Sequence, residues 1–74
     1  MEDVRICLNN IQKVCSYLNM VSHYDSDVTV IGDRMEIDGK SAIGIFSLDL
    51  SKPFTIRLSD EGGGIKEVIK KFMV

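Results

Sequence analysis

Groups able to do chemistry are sparse in this sequence of 74 residues. His23 is the sole histidine, so any imidazole-based transfer, triad or ligand role has one residue to run through. Cys7 and Cys15 form no Cys-x-x-Cys pair and are too few and too far from other ligands for a metal site. Asp25, Asp27, Asp33 and Asp38 fall at expected turns and strand ends, where aspartate serves the backbone, and they make no paired-acid constellation. Gly62-Gly63-Gly64 lacks both the Lys-Ser/Thr and the spaced glycines of a phosphate-cradling loop and reads as flexible chain. Ser41 is the more informative group. It follows Asp38-Gly39-Lys40 and opens the apolar run Ala42-Ile43-Gly44-Ile45-Phe46, where a serine caps a helix, with glycine for access and Lys40 for nearby positive charge.

Composition bounds what such groups could serve. One small domain over residues 1–74 is expected, burying only roughly 60% of its unfolded surface. Apolar residues at 45% and charged residues at 27% are ordinary for a globular chain. A net charge of −2 gives no electrostatic footprint for nucleic acid. No apolar run approaches the roughly 20 residues that span a bilayer, and Met1-Glu2-Asp3 does not open a secretory signal. Two cysteines at apolar positions, Cys15 especially, are expected reduced and packed, as in a cytoplasmic protein. No cofactor and no metal are expected.

Seven elements must position these residues. Val4, Ile6 and Leu8 alternate as a strand. Asn9 or Asn10 then caps a helix whose buried stripe is Ile11, Val14, Cys15, Leu18 and Val21, ending near Ser22-His23-Tyr24. Asp27 to Ile31 is a second strand, Gly32-Asp33 a hairpin turn, and Arg34 to Ile37 the return, with Met35 and Ile37 alternating. Ser41 caps a short helix running to about Leu48, weak on propensity because of its glycine. Phe54, Ile56 and Leu58 form the last strand. Ser59-Asp60-Glu61 starts a final helix with Ile65, Val68, Ile69 and Phe72 inward. The order β-α-β-β-α-β-α gives an α+β fold, a single sheet with helices on one face. Val14, Leu18, Val30, Ile45, Leu58, Val68 and Phe72 are its expected core.

The run Asp38-Gly39-Lys40-Ser41-Ala42-Ile43-Gly44-Ile45-Phe46-Ser47-Leu48 resembles the serine-bearing segment of HPr, the histidine-containing phosphocarrier of the bacterial sugar phosphotransferase system. In that family the segment reads roughly Gly-Lys-Ser-Ile-Met-Gly-Val-Met-Ser-Leu. The resemblance runs from about residue 14 to 72 and is strongest from Ser26 to Leu50. It implies an HPr-like open-faced β-sandwich, a four-stranded antiparallel sheet with three helices on one face. Upstream, the family carries Gly-Leu-His-Ala-Arg-Pro, whose histidine accepts the phosphoryl group. Counting back without gaps from Ser26-Asp27-Val28 places Asn10-Ile11-Gln12-Lys13 where His-Ala-Arg-Pro stands. Asn10 cannot form a stable phosphoramidate, and Gln12 supplies no charge in the arginine's place. Leu8 also runs almost directly into Asn9-Asn10, where the family has a longer loop. His23, near the C-terminal end of its helix, faces the negative dipole end and reads as a surface or capping histidine.

The resemblance makes Ser41 a regulatory phosphorylation site for an enzyme of the HPr kinase/phosphorylase type. A phosphate at a helix start meets N–H donors, whereas Ser47, in the last turn, would meet the negative end. With Ile45 and Leu48 turned to the sheet, Ile43 and Phe46 remain as an apolar patch of the kind that docks protein partners in that family. Asn19 and Ser22 replace lysines that the family carries on its first helix, a departure that weakens the match to its usual acidic partners. Paralogues that lack the histidine and keep the serine act in carbon catabolite control. The expectation is therefore a non-catalytic, non-enzymatic adaptor or regulator related to sugar transport, with protein partners such as HPr kinase/phosphorylase or a transcriptional regulator. The alternatives are a divergent phosphocarrier or decoy, or the same fold repurposed as a structural interaction module. Neither nucleic acid nor membrane is an expected partner.

Overall fold

The structure, a computed structural model, describes residues 2–32, 34–59 and 64–74. Asp33 of the expected hairpin turn, and Asp60, Glu61, Gly62 and Gly63 of the expected helix start and glycine run, lie outside the described residues. Four strands and three α-helices appear in the described chain: β1 (Glu2–Ile6), α1 (Ile11–Val21), β2 (Val28–Ile31), β3 (Glu36–Asp38), α2 (Ala42–Phe46), β4 (Phe54–Leu58) and α3 (Ile65–Ile69). A 3-10 turn over Lys70–Phe72 continues α3.

The sheet is antiparallel throughout, in the order β1-β4-β2-β3. Register follows side-chain alternation. Val4, Ile56, Val30 and Ile37 lie in one row across the four strands. The neighbouring row on the opposite face is Asp3, Arg57, Thr29 and Asp38. A one-residue slip in any strand would exchange these two rows, so the apolar alternation fixes the pairing. Val14, Tyr17 and Val21 of α1, Ile45 of α2, and Ile65 and Ile69 of α3 join the first row's face in one buried cluster. All three helices therefore cover one side. On the open side Arg57 donates from Nε to Asp3 Oδ1 at 2.9 Å and from Nη2 to Oδ2 at 3.3 Å. That hydrogen bond holds the exposed Asp3 carboxyl below its usual range.

Two close approaches explain glycines that local propensity disfavours. A Cβ on Gly39 would sit 2.6 Å from Val28 Cγ1 and 2.9 Å from the Val28 carbonyl oxygen. A Cβ on Gly44 would sit 2.6 Å from Ile37 Cγ2, so only glycine lets α2 lie this near β3. Tertiary contact thus overrides the helix cost of Gly44. Beyond α3, the tail turns back along β1: Cys7 N–H donates to the Phe72 carbonyl at 2.8 Å and Val74 N–H to the Arg5 carbonyl at 3.1 Å. Met73 bridges Ile6, which partly covers the free edge of the sheet.

Four expectations need correction. The inward face of α1 is Val14, Tyr17 and Val21, not the stripe through Ile11 and Cys15. Ile11 is 70% exposed and Cys15 is exposed, while Cys7 is half-buried. The tertiary placement rotates the helix so that the large tyrosine ring, not the small thiol, enters the core. Leu18 and Val68 pack only partly against the core, at its margin. β3 is shorter than expected, and Met35 stands 63% exposed before it. Helix α2 ends at Phe46 with Ser47 as its C-cap, short of Leu48.

Candidate functional site

Asn10 stands at the N-cap of α1 in an extended conformation, and its side-chain Oδ1 accepts the Lys13 backbone N–H at 2.8 Å. The Asn10 carbonyl accepts Val14 N–H at 3.2 Å, so this asparagine closes the helix start from both its groups. Asn10 and Gln12 are both exposed and share a shallow groove of about 320 Å³ with Lys13, Ser16, Lys71 and Phe72. Lys71 reaches this groove from the 3-10 turn, its ammonium 5.4 Å from the Phe72 ring centroid. Two lysines beside backbone N–H groups favour negative charge. The groove holds no imidazole: a carboxamide nitrogen has no basic lone pair, and Asn10 oxygen is already engaged. Lys71 was not legible in the sequence as a groove residue, because its position follows from how the tail packs beside α1.

His23 lies past the other end of α1, which at 1.5 Å rise per residue is roughly 16 Å away along the axis. Its Nδ1 donates to the Asn19 carbonyl at 2.7 Å, beside the Ser22 hydroxyl, which donates to the same oxygen at 2.8 Å. The histidine caps the helix end, away from the groove.

Ser41 is half-buried at the N-cap of α2, where its Oγ accepts Gly44 N–H at 3.2 Å. The turn before it is fixed by a long-range bond: buried Tyr17 donates its hydroxyl to the Gly39 carbonyl at 2.7 Å. Burial, reinforced by the Asp38 carboxylate, pushes the Tyr17 phenol well above its usual range. The Lys40 side chain does not stand free beside Ser41; its ammonium donates to the Tyr24 carbonyl. Ile43 is 85% exposed and Phe46 50%, with Ile45 buried behind them. Ser47 donates its hydroxyl to the Gly44 carbonyl at 2.6 Å. Asn10 and Gln12 are thus brought together in one groove, while Ser41, Ile43 and Phe46 belong to α2 and do not line it. Among the described residues, no cluster of His, Cys, Asp and Glu could hold a metal ion, and no helix is long and apolar enough to cross a membrane.

No protein-family model matches the sequence, and no curated protein matches it. A solved structure does: the crystal structure of HPr-C-His from Thermoanaerobacter tengcongensis, 29% identical, covering 95% of this chain and 84% of that one, with a TM-score of 0.65. The fold is HPr-like. The element order, the four-stranded antiparallel open sheet and the three helices over one face agree with what the resemblance implied. An HPr-like fold relates this chain to the phosphocarriers, and within it the N-terminus of α1 is occupied by an asparagine cap.

Proposed function

We propose that this HPr-like chain is a non-catalytic adaptor or regulator related to the phosphoenolpyruvate-dependent sugar phosphotransferase system, working in the cytoplasm and controlled at Ser41. One observation carries the reading. The residue that caps α1, where the family resemblance puts the phosphoryl-accepting histidine, is Asn10, and the sole imidazole lies past the opposite end of that helix. Gln12 beside it brings no charge. Ser41 keeps a helix-start position, with Ile43 and Phe46 exposed on the same short helix as the contact for a protein partner. That partner is an HPr kinase/phosphorylase type of enzyme or a transcriptional regulator. In the regulatory step, Ser41 Oγ attacks the γ-phosphorus of ATP. The Oγ–P bond forms as the bond from that phosphorus to the β,γ-bridging oxygen breaks, ADP departs with the electron pair, and the hydroxyl proton passes to a base of the kinase.

A second reading has its own support. Lys13 and Lys71 still flank the groove at the α1 N-terminus, which suits a decoy that docks the histidine-phosphorylating enzyme without accepting phosphate. One experiment separates the two. Intact mass spectrometry after incubation with phosphoenolpyruvate and the first enzyme of the relay should show no phosphoryl adduct. Incubation with ATP and HPr kinase should add one, mapped to Ser41 by fragmentation. An acid-labile adduct on His23 would overturn the non-catalytic reading. An unmodified chain beside a fully labelled HPr control would reduce Ser41 to a helix cap, and competition by the unlabelled chain for the first enzyme would favour the decoy.

A further inference from the structure

Helix α1 carries no basic residue in its last turn, although the negative pole and the unpartnered carbonyls of a helix lie there. The chain closes that end with groups that follow it. Ser22 N–H donates to the Leu18 carbonyl at 3.1 Å, His23 N–H to Met20 at 3.2 Å and Tyr24 N–H to Val21 at 3.2 Å. Ser22 Oγ and His23 Nδ1 share the Asn19 carbonyl. The Tyr24 carbonyl, in the loop that follows the helix, receives a cation from across the fold: the ammonium of half-buried Lys40. The Lys40 backbone is held separately, its N–H donating to Asp38 Oδ1 at 3.0 Å, and the Tyr17 hydroxyl anchors the preceding carbonyl. The residue next to Ser41 therefore ties down the loop that leaves a different helix.

We infer that Lys40 is a latch released by phosphorylation of Ser41. This rests on the reading of Ser41 as a kinase target. A phosphoserine carries about −1.5 to −2 charge and three acceptor oxygens one residue from Lys40. A charge-assisted bond to such a dianion is stronger than one to a neutral carbonyl, and lysine is a flexible point charge that can change partner. The ammonium leaves Tyr24 for the phosphate. The segment 22–27 loses the Lys40 bond to the turn before α2, while the Tyr17 bond keeps the turn itself in place. A modification on α2 is thereby read at the end of α1, at the groove lined by Asn19, Met20, His23, Tyr24 and Val68.

Total chemical synthesis can install phosphoserine at position 41 without any kinase, and amide hydrogen exchange by NMR reads the segment. The amides of His23 and Tyr24 should exchange about fivefold faster in the phosphoserine chain than in the unmodified one, the loss expected for one net hydrogen bond. Lys40→Gln without phosphate should reproduce that acceleration, Lys40→Arg should preserve protection, and phosphoserine in Lys40→Gln should add less than about a twofold change. The latch is refuted if Lys40→Gln leaves these amides protected, if the phosphoserine chain does so, or if phosphoserine accelerates them equally without Lys40. Failure of a kinase to label Ser41 in the unmodified chain would count against the proposed regulation and leave the latch intact.

Discussion

Replacing Tyr17 by phenylalanine removes one oxygen from the middle of the fold and keeps the ring. The edge-on contact with Phe72, centroids 6.2 Å apart and planes at 80°, survives. The 2.7 Å bond to the Gly39 carbonyl does not. The bond alone contributes roughly 0.5–1.5 kcal/mol net, and stranding the carbonyl of a buried residue raises the cost to about 1–3 kcal/mol. A domain of this length has a stability of roughly 4–11 kcal/mol, so the loss is a large share of it. Each kcal/mol lost should lower the melting temperature by about 4–8 °C. Urea unfolding followed by circular dichroism should show a lower midpoint with an unchanged slope. A second reading comes from pH. Burial raises the folded-state pKa of the phenol above the 10.0 of an ordinary tyrosine, with the Asp38 carboxylate adding to it. The unfolded chain then releases its proton first, so this contribution to stability is complete below that pH and lost as pH rises beyond it. The parent chain should lose stability faster than Tyr17→Phe above pH 10.0. A stability change within about 0.5 kcal/mol, with parallel alkaline curves, would refute this role for the Tyr17 hydroxyl.

The remaining expectations use the same unfolding assay. Gly39→Ala should destabilise by about 1–3 kcal/mol, because its Cβ would press on the Val28 backbone oxygen, which cannot turn aside as a side chain could. Ser41→Ala should lose the bond to Gly44 N–H and cost about 0.5–2 kcal/mol, whereas the far weaker effect of Ser47→Ala would identify Ser41 as the helix-start residue. Ile69→Ala should cost about 2–5 kcal/mol as a fully buried truncation, and Leu18→Ala clearly less, since Leu18 lies at the margin; equal costs would mean that the inward face of α1 is misassigned.

The strands were legible because period-two alternation is a local property. Val4 and Ile6, Val28 and Val30, Ile56 and Leu58 announce their face whatever their partners, and the covered face contains all six. The Ser41 cap, and the α1 cap as either Asn9 or Asn10, were legible for a similar reason: a side chain bonding an N–H three residues on needs only its own segment. The phase of α1 was not. Val14 and Val21 belong equally to a stripe through Cys15 and Leu18 or to one through Tyr17, and the choice depends on what the rest of the fold brings alongside. The signal available was size, since an aromatic ring buries far more apolar area than a thiol. The candidate site divides in the same way. Asn10 and Gln12 were singled out by the resemblance, whereas Lys71 in the groove and Lys40 on the Tyr24 carbonyl depend on packing between distant segments, for which local sequence carries no mark.

Strand β4 sits between β1 and β2, although it is the last of the four in the chain. During synthesis β1 leaves the ribosome before β2, β3 and β4, and its partner β4 is still untranslated. The nascent chain can pair β2 with β3, but in the finished sheet β4 separates that narrow hairpin from β1. Until Phe54–Leu58 emerges, α1 has half a floor to rest on, and its apolar face is open to chaperones and proteases. A stalled or truncated product that ends before β4 therefore lacks the middle of its sheet, not its rim, and cannot be a smaller version of the finished protein.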